Sequence, residues 1–143
     1  MKKIIALFIF SILLSSCNEY KEIISDIAIV KIKIYLWKDG HLDREGYFFE
    51  ITDDNEIKKI FQWITSIESP AYKCGYNGAI EFYCKNNNLL MDAEFNTECN
   101  TIVFEYNNKF YKRRMTGVGI NYINKIIEKI NDKNDIYLKS DTK

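Results

Sequence analysis

One proline, one histidine and six glycines are all that the 143 residues contain of those types. Without a Pro-, Gly- or Ser-rich stretch, and without internal repeats, the chain has no interior linker, which argues for one continuous domain. An excess of either charge is missing too, because 20 basic residues balance 20 acidic ones. Such a chain presents no general field to a polyanion, so nucleic acid is not expected as a partner. The local run from Lys109 through Lys112, Arg113 and Arg114 reads as a solvated strand edge. No apolar run approaches the roughly 20 residues that a membrane-spanning helix requires; the longest, Ile4 to Leu14, is interrupted by Ser11.

Catalytic vocabulary is equally sparse. His41 is the only histidine, so any Ser-His-Asp or Cys-His site would have to use it, yet Asp39-Gly40-His41-Leu42 reads as a turn. There is no G-x-S-x-G elbow, H-E-x-x-H helix or phosphate loop, and Gly117-Val118-Gly119 lacks the third glycine of a dinucleotide fingerprint. Cysteines at 74, 84 and 99 offer no close pair for a metal. Neither a metal nor a cofactor is expected, and the balance leans away from an enzyme.

What is present begins at the N-terminus. Lys2 and Lys3 precede the apolar stretch to Leu14, which is long enough for the h-region of an export signal, and Leu14-Ser15-Ser16-Cys17 closes it. This tetrad resembles the lipobox of bacterial lipoproteins. The resemblance implies cleavage after Ser16, a diacylglyceryl group on the Cys17 thiol and often acylation of the new amino group. Two or three acyl chains would then hold the protein at a membrane in the bacterial cell envelope. Asn18 stands where an Asp is associated with inner-membrane retention in enteric bacteria, which tips the expectation toward the outer membrane if the organism is diderm. Loss of Lys2 and Lys3 would leave 18 basic against 20 acidic residues.

The expected divisions are a signal peptide over 1–16, a polar tether over 17–26, a single domain over 27–131 and a loose C-terminal tail over 132–143. Within the domain, Ala28, Val30, Ile32, Ile34 and Leu36 alternate with polar or amphipathic residues, the period of a half-buried strand, and Asp39-Gly40 supplies a hairpin turn. That turn predicts Lys38 opposite His41, Ile32 opposite Tyr47, Val30 opposite Phe49 and Ala28 opposite Ile51. Asp53 and Glu56 form a capping box. Ile57, Ile60, Phe61, Ile64 and Ile67 then make a helical stripe, predicted to run until Pro70 disfavours helix near Ser69, with Trp63 outside the stripe at the edge of the core.

A second hairpin pairs Cys84 with Leu89, Phe82 with Met91, Glu81 with Asp92 and Ile80 with Ala93. A third is expected around Asn107-Asn108, and Ile120, Ile123, Ile127 and Ile130 mark a last helix starting between Thr116 and Gly119. The order ββαββββα implies an α+β fold: a mostly antiparallel sheet of about six strands, with both helices on one face. The other face is left to solvent or a partner.

The second-hairpin register also decides the cysteines. Carried down the strands, it sets Cys74 opposite Cys99 at the open end, within reach of a disulfide, while some ten residues at about 3.3 Å each separate Cys84 from them. Cys84 is expected to be a buried, reduced core thiol. On the outer face Glu81, Asp92 and Glu94 should cluster, with Lys112 or Arg114 as neutralising neighbours. Tyr72 and Tyr76, on the loop beside the disulfide, join these carboxylates as candidate binding residues.

Together these features favour a non-catalytic envelope lipoprotein that meets a protein or envelope component through the second sheet face or the Tyr72–Asn77 loop. A small-molecule carrier, its pocket lined by Phe61, Ile64, Phe82 and Phe95, is the alternative, and a hydrolase using Glu81, Asp92 and Glu94 is a third. No feature sets the oligomeric state.

Overall fold

The computed structural model describes residues 29–38, 41–42, 48–70, 74–106 and 108–140, with side chains described up to Lys133 and that of His41 left out. The expected signal peptide, Cys17, the tether, Tyr72 and the third turn's Asn107 lie outside these residues.

Among the described residues eight strands and two helices follow one another as β1 (Ile29–Lys38), β2 (His41–Leu42), β3 (Phe49–Ile51), α1 (Asp54–Trp63), β4 (Ile64–Glu68), β5 (Gly78–Cys84), β6 (Leu89–Asn96), β7 (Thr101–Tyr106), β8 (Lys109–Met115) and α2 (Gly117–Ser140). The α+β class is as expected, though the sheet is larger. All strands join one sheet in the order β2-β1-β5-β6-β7-β8-β4, and β3 shares the β1 edge with β2. Every pairing is antiparallel.

One face of this sheet is apolar and packed. Ile32, Ile34, Ile80, Phe82, Ala93, Phe95, Ile102 and Phe104 form a single cluster with Ile57, Ile60 and Trp63 of α1 and Ile123, Ile126 and Ile130 of α2. The α2 stripe is completed by Ile120 and Ile127, which pack on the cluster from partly buried positions. Thr116 starts this helix, its hydroxyl accepting from the Gly119 N–H at 3.2 Å. The helix passes Asp132, where the sequence suggests a loose tail, and runs to Ser140.

Four local corrections have clear physical causes. Trp37↔Leu42 and Lys38↔His41 keep the register the turn predicts. Further along, Ile32 faces Ile51 and Ile34 faces Phe49, four positions out of that register. An even slip preserves the faces, which is why Ile51 still enters the core. A bulge between Ile29 and Lys31 then puts Ile29, in place of Val30, against the core.

The first helix is shorter than its stripe. Asp53 caps it as expected, accepting from the Glu56 N–H at 2.9 Å. It ends at Trp63, whose carbonyl accepts from the Thr116 N–H at 2.7 Å. Ile64, Thr65 and Ile67 are β-branched, and they continue as edge strand β4 beside β8. Trp63 is a buried core residue, and Ile67, assigned to the helical stripe, is 58% exposed.

In the second hairpin the expected pairs hold from Gly78↔Phe95 to Phe82↔Met91, after which Tyr83 faces Leu89 and Leu90 is left over. Asn86 and Asn87 turn the chain with φ of 70° and 59°. All four non-glycine residues with positive φ among the described residues are asparagines, the others being Asn100 and Asn108, in keeping with the tolerance of this side chain for the left-handed region. The bulge displaces Cys84, which is half-buried with its thiol directed to the Lys85 carbonyl at 3.3 Å, and not a core thiol. The third hairpin closes with Tyr106 opposite Lys109.

Candidate functional site

Alternation assigns the second face of the sheet. With Ile32 and Ile34 pointing to the helices, Lys33, Tyr35 and Trp37 of β1 point away, as do Ala79, Glu81 and Tyr83 of β5 and Asp92, Glu94 and Asn96 of β6. The cluster that holds both helices draws on the other face, and among the described residues no helix packs on this one.

Cross-strand pairing writes the chemistry in rows. Glu50, Lys33, Glu81 and Asp92 form one row, and Tyr35, Ala79, Glu94, Val103 and Lys112 the next. The expected opposition of Glu81 and Asp92 is therefore present, but its setting differs from a solvated cluster. Glu81 is only 3% exposed. The Tyr83 hydroxyl donates to its carboxylate at 2.5 Å. The cation in register beside Glu81 is Lys33, whereas Lys112 stands two strands from Glu94 and Arg114 lies in the row of Asn96 and Thr101.

These groups shape each other's ionisation. Burial, then the Asp92 charge, push the Glu94 carboxyl above its ordinary value, and a hydrogen bond with Tyr76 pulls it partly back. Tyr76 is itself raised by burial and by Glu94. Burial first, and then Glu81 through hydrogen bond and charge, push the Tyr83 phenol far up, so it remains a donor at any physiological pH.

Rings frame the carboxylates. Trp37 and Tyr76 pack with centroids 5.8 Å apart, and Tyr35 and Phe48 with centroids 5.4 Å apart. The Lys33 ammonium lies 4.3 Å from the Phe48 ring centre, and that of Lys31 lies 4.8 Å from the Tyr83 ring centre. Attention to the acidic positions alone misses this frame. Its signal is the other half of the β1 alternation, where Lys31, Lys33, Tyr35 and Trp37 occupy every second place.

The loop before β5 is fastened to this face. Cys74 and Cys99 form the expected disulfide, with Cα atoms 6.6 Å apart. The Asn96 amide donates to the Gly75 carbonyl at 2.7 Å, and the Thr97 N–H donates to the Asn77 side chain at 2.8 Å. Tyr76 is thereby held against Trp37 and Glu94. Beyond the disulfide, Pro70, Cys74, Glu98, Cys99, Asn100 and Arg114 line an open depression of about 390 Å³. A second, of about 460 Å³, shares Pro70 and Arg114 with it and is lined also by Glu68, Ser69 and Lys112.

The space assigned to a carrier pocket is filled by its own lining. Phe61 stacks on Phe82 with centroids 5.0 Å apart, and Ile64, Phe82 and Phe95 are buried in the common core. Among the described residues no three His, Cys, Asp or Glu side chains are grouped to hold a metal ion, and no helix is long and apolar enough to cross a membrane.

The second face thus carries half-buried rings at Trp37, Phe48 and Tyr76 and half-buried charges at Lys33, Asp92 and Glu94, around Tyr35, Ala79, Glu81 and Asn96, which are buried. Such a surface can recognise a polar or aromatic partner, and its most buried carboxylate is already held by a phenol. No protein-family model, curated protein or solved structure matches the chain.

Proposed function

We propose that this chain is a non-catalytic lipoprotein of the bacterial cell envelope, tethered through Cys17, whose domain binds a protein or another envelope component through the second face of its sheet. The observation that carries the reading is the frame of Trp37, Tyr76, Tyr35 and Phe48 around Glu94 and Lys33 on the face away from the helices. Aromatic side chains on a preformed surface supply contact area at little entropic cost, and the charges around them set register. The lipobox-like tetrad supports the location.

The test is photocrosslinking in the native envelope from a benzophenone residue at Phe48. A discrete adduct that disappears in a Trp37→Ala, Tyr76→Ala double variant, with the thermal transition retained, is the expected result. An adduct insensitive to both substitutions, or no adduct, would reject the face as the binding site.

One observation favours a second reading. The raised carboxyl of Glu94 beside Asp92 is the kind of pair that serves as acid and base in hydrolysis. That reading requires a turnover lost in both Glu94→Gln and Asp92→Asn variants while the fold is kept.

A further inference from the structure

The ladder pairings fix which end of the domain receives the N-terminal segment. Ile29, the first residue of β1, faces Cys84, the last of β5. Tyr83 faces Leu89, the first residue of β6, and Tyr106 at the end of β7 faces Lys109 at the start of β8. The start of β1, the turn at 85–88 and the β7–β8 hairpin end at Tyr106 and Lys109 therefore lie at one end of the sheet. The disulfide, the start of α2 and the start of β4 lie at the other.

Exposed apolar side chains gather at the entry end. Leu89, Leu90 and Phe110 are 50%, 37% and 77% exposed. Leu90 is the residue left out of the ladder by the bulge, so its placement comes from a defined irregularity and not from the alternation that buries Met91 and Ala93. Lys85 and Lys109 are exposed beside them, where a long stem can follow an apolar boundary while its ammonium stays in water. Acidic residues toward this end include Asp53, Asp54 and Glu56 at the far side of β1, Glu105 opposite Phe110, and Glu128 and Asp132 of α2, which starts at the opposite end and brings Lys129 over the Phe49 ring. Three strand spacings, about 14 Å, separate β3, which leads to Asp53, from β6. The charges are mixed, so contact there would rest on burial of apolar side chains and would not select anionic lipid.

We propose that this end of the domain rests on the bilayer that holds the acyl anchor, with Leu90 and Phe110 reaching the lipid surface. The inference depends on the lipid-anchor reading of Cys17. Its geometric support is the chain between anchor and fold: residues 17–28 span at most about 40 Å when fully extended and end at Ile29, beside the turn that carries Leu89 and Leu90. The opposite end, with exposed Ile67 and Val118, stands a further strand length from the membrane. Seated in this way, the domain holds the ringed face across the membrane normal, where a partner in the envelope can approach it from the side.

The experiment uses the full-length, acylated protein in phosphatidylcholine vesicles, with Leu90, Phe110 or Val118 replaced singly by p-benzoylphenylalanine. After irradiation, phospholipid adducts at positions 90 and 110 should exceed those at 118 several-fold. Equal yields at the three sites, or none at 90 and 110 while the protein stays bound to the vesicles, would overturn the proposed seating. Intact mass of the same samples reports the acyl groups on Cys17 separately. A chain without them would refute the anchor itself, a failure distinct from that of the seating.

Discussion

Gly78 lies against Phe95 in the β5–β6 ladder with no room between them for a side chain. A methyl group at 78 would stand 2.2 Å from the Tyr35 carbonyl oxygen and 2.6 Å from Phe95 Cζ. The first obstacle is backbone and the second is a fully buried ring, so neither yields cheaply. Gly78→Ala is expected to destabilise the fold by about 1–3 kcal/mol, the usual range for overpacking. Urea denaturation measures this directly, and a variant as stable as the parent would mean that β1 and β6 do not close over β5 as described.

The phenol of Tyr83 and the carboxylate of Glu81 form the central polar contact of the second face. Removing the hydroxyl in Tyr83→Phe leaves a buried carboxylate short of one donor, a loss of about 1–3 kcal/mol. In a Glu81→Gln background the same change should cost roughly half as much, because a charge-assisted bond has become a neutral one. A double-mutant cycle isolates this difference. Additive effects would show that the two groups are not energetically coupled.

Glu94 gives the domain a pH dependence with a definite sign. Its carboxyl is held above the ordinary 4.5 by burial and by Asp92, so between 4.5 and the raised value the folded chain keeps a proton that the unfolded chain has released. Stability contributed by this group therefore falls as pH rises through that window. Glu94→Gln removes the ionisation and keeps an oxygen that can accept from Tyr76. The expected outcome is a higher melting temperature than the parent at neutral pH, with the gain vanishing below about pH 4, where both carboxyl forms are protonated. An equal gain at both pH values would assign the effect to packing.

The parts of this fold legible in the sequence are those governed by local chemistry. The Asp53 cap, the Asn turns and the alternation of β5 and β6 each depend on near neighbours, and the last of these fixes both the opposition of Glu81 to Asp92 and the Cys74–Cys99 bond. What escaped depends on distant ones. Ile64 and Ile67 fit a helical stripe by spacing, but the chain leaves the helix at Trp63 because β8 offers a strand partner and Gly119 leaves room for the indole; a Cβ at 119 would meet Trp63 Cβ at 2.4 Å. The bulges at Val30 and Leu90 redirect Ile29 and Cys84 without any change in the apolar count of either strand. The candidate site was half legible for the same reason. Its carboxylates stand out in β5 and β6, while the rings and Lys33 join them only once β1 is known to lie beside β5.

The disulfide and the one free thiol among the described residues make a linked prediction. Cys74 and Cys99 close a loop with a sequence separation of 25, and breaking it in a Cys74→Ser, Cys99→Ser double variant should cost about 3 kcal/mol through the added freedom of the unfolded chain. The native contacts around it, from Asn96 to Gly75 and from Thr97 to Asn77, do not involve sulfur and should keep Tyr76 in place, so the variant is expected to fold at lower stability rather than lose the site. Cys84 is half-buried and outside the bond. A maleimide applied to the folded, non-reduced protein should therefore modify Cys84 and spare Cys74 and Cys99, with both becoming reactive after reduction. Peptide mapping distinguishes the three. Label at 74 or 99 before reduction, or none at 84 after unfolding, would mean that the strand register joining the two ends of this hairpin is wrong, and with it the rows of charge and rings on the second face.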